Sequence, residues 1–171
     1  MEILLDDGEK SLVDYLSKGR YDRARKKNAK TYDLNKTNNR YFMDRIGLFA
    51  ELALAKITNT YPNQVISPVC KTKDSGDDVG DIKYNNLNID VKATIHNDGV
   101  LWIDKINNNI DVYAFFVVKE EESVVRCVLK GIIEESELHS KPRRQRRQFK
   151  FPCIYAEQDE LSDWNTIKEI Q

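Results

Sequence analysis

The run "DVYAFFVVK" (111–119) sets the strongest limit on what this chain can fold into. From Val112 to Val118 it holds seven apolar residues in a row, rich in aromatic and β-branched types. A continuous run of this kind reads as a strand buried on both faces, hence a central one. "ESVVRCVLKGI" (122–132) follows after an acidic turn at 119–122 and reads as its antiparallel neighbour.

The longest helical pattern is "NRYFMDRIGLFAELALAKIT" (39–58), free of proline and rich in Leu and Ala. "DDGEKSLVDYLSKGR" predicts a short helix that Asp7 caps and Gly19 ends. The basic segment 20–36 follows as helix or ordered arm. "QVISPVC" (64–70) reads as a strand, "DGVLWIDKINNN" (98–109) as a short helix and "EESEL" (134–138) as one helical turn. "FPCIY" reads as an edge strand and "ELSDWNTIKEI" (160–170) as a closing helix. The expected class is α/β or α+β, a mixed central sheet flanked by helices in the order αβββαβ with additions.

"DVGDIKYNNLNIDVKATIH" predicts a hairpin turning at Asn85-Asn86, since Asn tolerates positive φ. That turn pairs Ile82 with Ile89 and sets Asp81 opposite Asp90. Side chains alternate along a strand, so Asn88, Asp90, Lys92 and Thr94 share one face, while Leu87, Ile89, Val91 and Ala93 form a core face. Like charges facing across a sheet repel. Two explanations compete: ordinary cross-strand pairing with Lys83 and Lys92, or a cation held between the carboxylates. Hard oxygen ligands of this type suit Mg²⁺ or Mn²⁺.

A third acid, Glu51, lies on the 39–58 helix among Gly47, Leu48, Leu54 and Ala55. Buried there, it needs a partner or a metal; at the surface it would pair with Arg45 or Lys56. Small residues at Gly47 and Ala55 predict close approach of the helix to a sheet.

An acid on a first helix, an Asp at a strand start and Asp-x-Lys on the next strand together resemble the PD-(D/E)xK, or restriction-endonuclease-like, nuclease superfamily. The resemblance spans roughly 40–132. It implies that core fold and a divalent-metal-dependent nuclease. Asp81 and Asp90 would then bind Mg²⁺ or Mn²⁺, Lys92 would act on the attacking water, Glu51 would be the helical acid, and the Val91 backbone carbonyl would be a further ligand. Gly80 stands where the superfamily's name has proline, and Asp74, Asp77 and Asp78 compete with Asp81 as first acid. On this reading residues 1–171 form a single nuclease domain: a helical, basic extension (1–38), a catalytic core (39–132), and a basic loop with a closing strand and helix (133–171).

Formal net charge is only −1, so nothing in the total points to a polyanion. The distribution does: "RYDRARKKNAK" (20–30) and "KPRRQRRQFK" (141–150) concentrate the basic residues. Arg23, Arg25, Lys26, Lys27, Arg143, Arg144, Arg146 and Arg147 are the expected phosphate contacts. Three scattered cysteines fit no zinc spacing and, like Trp102 and Trp164, read as packing residues; His96 reads as a surface residue beside the Asp98-Gly99 turn. No signal peptide or long apolar run is present, which leads to the expectation of a cytoplasmic protein (host cytoplasm if phage-encoded) with no membrane partner. DNA is the expected substrate and RNA the alternative. A non-catalytic nucleic-acid-binding module is the rival of another class. A homodimer would suit cutting of both strands.

Overall fold

The computed structural model describes residues 1–26, 38–60, 80–103, 106–144 and 152–170, the side chains of 23–26 and 38–40 excepted. The strand read at 64–70, Cys70, Lys27, Asp74, Asp77, Asp78, Arg146 and Arg147 lie outside the described residues.

The protein is a mixed α+β structure around a five-stranded sheet of order β1-β6-β5-β3-β2. Its strands are β1 (Glu2–Leu5), β2 (Ile82–Tyr84), β3 (Leu87–Thr94), β5 (Val112–Glu120) and β6 (Val125–Glu134). A second, two-stranded sheet joins β4 (Leu101–Ile103) to β7 (Ile154–Ala156). Three α-helices are described: α1 (Asp7–Lys26), α2 (Asn38–Thr58) and α3 (Glu135–Ser140). None is long and apolar enough to cross a membrane.

The apolar run is the middle strand, as its composition requires. β5 pairs antiparallel with β6 and parallel with β3. Its residues alternate between two cores. Val112, Ala114, Phe116 and Val118 join Ile89, Val91 and the α1–α2 layer. Tyr113 and Phe115 face the other way, toward Leu101, Ile103, Leu138, Ile154 and Ala156. Helices thus cover one face of the sheet, while β4, β7 and α3 cover the other.

Helix α2 runs as the sequence predicts, with Leu48, Phe49, Leu52 and Ala55 fully buried. Gly47 marks no close approach, since a Cβ there would meet nothing within 4 Å. Helix α1 does not stop at Gly19 but continues to Lys26. Glycine costs a helix interior about 1 kcal/mol, and contacts beyond it outweigh that: Arg20 reaches Glu51, and Tyr21 meets Tyr41 edge-on at 6.2 Å. Its start is also displaced. Asp6, not Asp7, accepts from the Glu9 N–H while Glu9 accepts from the Asp6 N–H, both at 2.9 Å, a reciprocal cap.

Three further expectations are corrected. The helix read at 98–109 does not form among the described residues of that span. Leu101 and Ile103 point inward and Trp102 outward, which is strand alternation, and they pair with β7. The order αβββαβ therefore loses its second helix, and the crossover from β3 to its parallel neighbour β5 carries a strand instead. The closing helix is two 3₁₀ turns, Gln158–Glu160 and Trp164–Lys168. Trp102 is not a packing residue: it is 45% exposed, whereas Trp164 is buried against Tyr84. Cys127 and Cys153 are buried, as expected, and burial pushes the Cys127 thiol up to about 12, with the Glu9 carboxylate adding to the effect. His96 is exposed at a turn closed by the Gly99 N–H donating to its carbonyl.

Candidate active site

The hairpin that carries the candidate acids forms with the predicted turn and register. Asn85 and Asn86 both take positive φ, 49° and 67°, and Ile82 pairs with Ile89, Lys83 with Asn88, Tyr84 with Leu87. Two left-handed residues in succession give the turn whose twist matches that of the strands.

Beyond Ile82 the ladder changes, and Asp81 is not a regular cross-strand partner of Asp90. Its N–H donates to the Ile89 carbonyl at 2.8 Å, and its carboxylate Oδ2 accepts the Val91 N–H at 2.9 Å. Asp81 therefore touches the residues on either side of Asp90 and replaces the missing strand at the sheet edge. Gly80 makes this route possible. Its φ is +85°, and an added Cβ would lie 2.8 Å from the Ile89 carbonyl oxygen. Only glycine adopts that conformation readily and leaves that space.

Asp90 and Lys92 share a face, as the alternation predicts. The Lys92 ammonium is ion-paired with Asp90 Oδ2 and stands 5.9 Å from the centre of the Tyr113 ring. Asp90 and Tyr113 are register partners on neighbouring strands, so the lysine lies over the aromatic beside its own carboxylate.

Glu51 lies in the helix layer. It is 6% exposed, on the helix layer that packs against Ile89 and Val91, whereas Asp90 points to the opposite face of β3. Its partner is neither Arg45 nor Lys56. Arg20 of α1 holds both its oxygens, Nη1 to Oε1 at 3.1 Å and Nη2 to Oε2 at 2.9 Å. Arg45 instead joins Asp14 and Glu120, and Lys56 joins Glu9. Burial works against the Arg20 charge. The hydrogen bonds to Glu51, with the fields of Glu51, Asp81 and Asp44, outweigh it and raise the guanidinium above its ordinary value. Arg20 is thus electrostatically linked to both Glu51 and Asp81. The sequence offered a faint signal for it, a cation on the preceding helix near the basic segment.

Among the described residues no three His, Cys, Asp or Glu side chains are grouped so as to hold a metal ion. Two carboxylates at a sheet edge still suit a hard cation of the Mg²⁺ type, which keeps several waters and takes its remaining oxygens from a phosphate. Arg143 and Arg144 lie exposed beyond α3, and Arg23, Arg25 and Lys26 fall in the last turns of α1.

No family model, no curated protein and no solved structure matches this chain.

Proposed function

We propose that the protein is a divalent-metal-dependent nuclease of restriction-endonuclease-like type, hydrolysing phosphodiester bonds at the β2–β3 hairpin, with DNA as substrate and endonucleolytic cleavage as the activity. The observation that carries this reading is the hairpin itself. Asp81 engages the backbone on both sides of Asp90, and Lys92 stands on the Asp90 face with its ammonium at that carboxylate. A carboxylate with a lysine two residues on, and a second carboxylate in the adjoining segment, supply the kinds of oxygen ligand and cation that metal-assisted hydrolysis of a phosphate ester uses.

Asp81 and Asp90 would hold Mg²⁺ or Mn²⁺, with the Val91 carbonyl as a third oxygen. Bound there, the ion would neutralise phosphate charge and increase the acidity of water. Lys92 orients the attacking water and donates to a non-bridging phosphate oxygen, its position set by Asp90 below and Tyr113 beside it. Glu51 acts from the other side of the sheet through Arg20, balancing the positive charge near Asp81. Arg143 and Arg144 hold substrate phosphates away from the scissile bond.

A supercoiled plasmid incubated with Mg²⁺, and in parallel with EDTA, tests the reading. Nicked or linear product in Mg²⁺ alone supports it. Retarded but intact plasmid under both conditions would instead be the signature of a nucleic-acid-binding module that does not cleave. Cleavage of RNA and not plasmid would keep the chemistry and change the substrate.

A further inference from the structure

We propose that the outer face of the β4–β7 sheet is a stacking platform for the bases of an unpaired nucleic-acid strand, with Trp102 and Tyr155 as its rings and Arg144 as the adjoining phosphate contact. Only the fate of the bound strand rests on the nuclease reading; the binding itself does not.

Trp102 and Tyr155 are direct partners in the β4–β7 register. Residues directly opposite in an antiparallel pair project on one face, their Cβ atoms about 5 Å apart. The other face is spent: Leu101, Ile103, Ile154 and Ala156 are buried against Tyr113 and Phe115. The aromatic pair therefore faces away from the core, with Tyr155 half-buried and Trp102 the more exposed ring of the two.

A basic residue adjoins β7. Arg144 pairs with Cys153 through two backbone hydrogen bonds, its N–H donating at 2.9 Å and its carbonyl accepting at 3.2 Å. Cys153 is buried and stands two residues before Tyr155, so this bridge sets exposed Arg144 beside the start of β7, close along the chain to Tyr155. Arg143 adjoins it, also exposed. The nearby acid is Glu160, which is ion-paired with Lys141 at 2.9 Å and also feels Arg144. Lys141, Arg143 and Arg144 are all basic, so the charge of the described part of this segment complements a phosphate backbone.

Aromatic rings beside arginine are the elements by which single strands are held: bases stack on the rings while cations follow the backbone. Bases in a duplex are stacked on each other and present no free face. The platform therefore selects a single strand, a frayed end or an unpaired loop. It lies on the same side of the large sheet as Asp90 and Lys92, because β4 and β7 cover the face that Tyr113 occupies.

The test is equilibrium binding in EDTA, so that cleavage plays no part. The probes are an oligothymidylate of about 15 nucleotides, an oligouridylate of equal length and a duplex of the same length. Trp164 is buried, so stacking should quench Trp102 fluorescence. Wild type should bind the single strands with quenching and more tightly than the duplex. Either oligomer supports the platform, and their ratio identifies the preferred sugar. Trp102→Ala should abolish the quenching and weaken single-strand binding about 5- to 150-fold, with duplex binding unchanged. Trp102→Phe should retain most of the affinity. Should the alanine variant fail to fold, Arg144→Gln provides the second measurement, with a log–log salt slope for single strands flatter by about 0.7. Unchanged single-strand affinity in folded Trp102→Ala, a wild-type preference for duplex, or an unchanged slope in Arg144→Gln would overturn the proposal. The aromatic pair would then serve only to hold β4 against β7. Failure of the plasmid assay would leave these results standing.

Discussion

Arg20 holds Glu51 by both carboxylate oxygens, tying the helix that precedes the basic segment to the helix beneath the hairpin. Removing one member of a buried pair costs more than the pair is worth, because the remaining charge keeps its desolvation penalty. Arg20→Ala should lower stability by about 2–4 kcal/mol, below the top of the range for buried pairs since its side chain is partly exposed. Arg20→Met combined with Glu51→Leu should recover most of the deficit. Urea unfolding of the single and double variants measures both. A cost under about 0.5 kcal/mol for Arg20→Ala would mark the pair as an ordinary surface interaction.

Lys92→Ala should remove cleavage, a fall in kcat of at least about 100-fold, while oligonucleotide affinity and the metal-induced shift in melting persist. Its ion pair with Asp90 is partly exposed, so the stability change should stay under about 1 kcal/mol. Single-turnover cleavage and melting curves on the same preparation separate the two effects. Full activity would move the chemistry elsewhere.

Asp81→Asn keeps an oxygen that can accept the Val91 N–H. In EDTA it should therefore melt with wild type. Wild type should gain stability on addition of Mg²⁺ or Mn²⁺ by mass action, and the variant should not. Scanning fluorimetry over a metal titration reads this directly. A variant clearly destabilised in EDTA would make Asp81 a structural residue first.

The pair Arg45–Glu120 leads to a pH dependence. Hydrogen bonds from Arg45, then from Lys10, lower the Glu120 carboxyl against the opposing effect of burial. A folded-state value below the unfolded one stabilises the native protein above the unfolded carboxylate range, and the gain disappears as pH falls through the folded value. Glu120→Gln should cost roughly 1 kcal/mol at pH near 7, and the difference from wild type should shrink as pH falls below the ordinary carboxylate range. Chemical denaturation across that range checks the sign as well as the size.

Replacing Arg143, Arg144, Arg146 and Arg147 together by Gln should weaken binding to all duplex sequences alike. The log–log salt slope should flatten by about 0.9 for each phosphate that an arginine no longer neutralises. Fluorescence anisotropy at several salt concentrations measures it, and an unchanged slope would reduce the run to a solvated loop.

Where pattern and packing agree, the fold was legible. The apolar run of β5, the proline-free α2 and the Asn85-Asn86 turn each carry their own periodicity or backbone preference, and each appears with the expected partner. β4 was misread because three residues are too few to distinguish strand from helix, and its evidence lies in β7, some fifty residues away. β1 is four residues whose partner, β6, is more remote still. The end of α1 was misplaced because propensity at Gly19 yields to tertiary contacts of Arg20 and Tyr21. For the candidate site, alternation located Asp90 and Lys92 on one face. It said nothing about which cation Glu51 would meet, since that partner depends on how two helices pack.

Gly80 has a consequence for which residues its position accepts. Proline holds φ near −65° and cannot adopt the +85° by which this chain enters its hairpin. Any side chain there would also run into the Ile89 carbonyl, so the position is closed to replacement unless the edge around Ile89 and Asp81 is rebuilt with it.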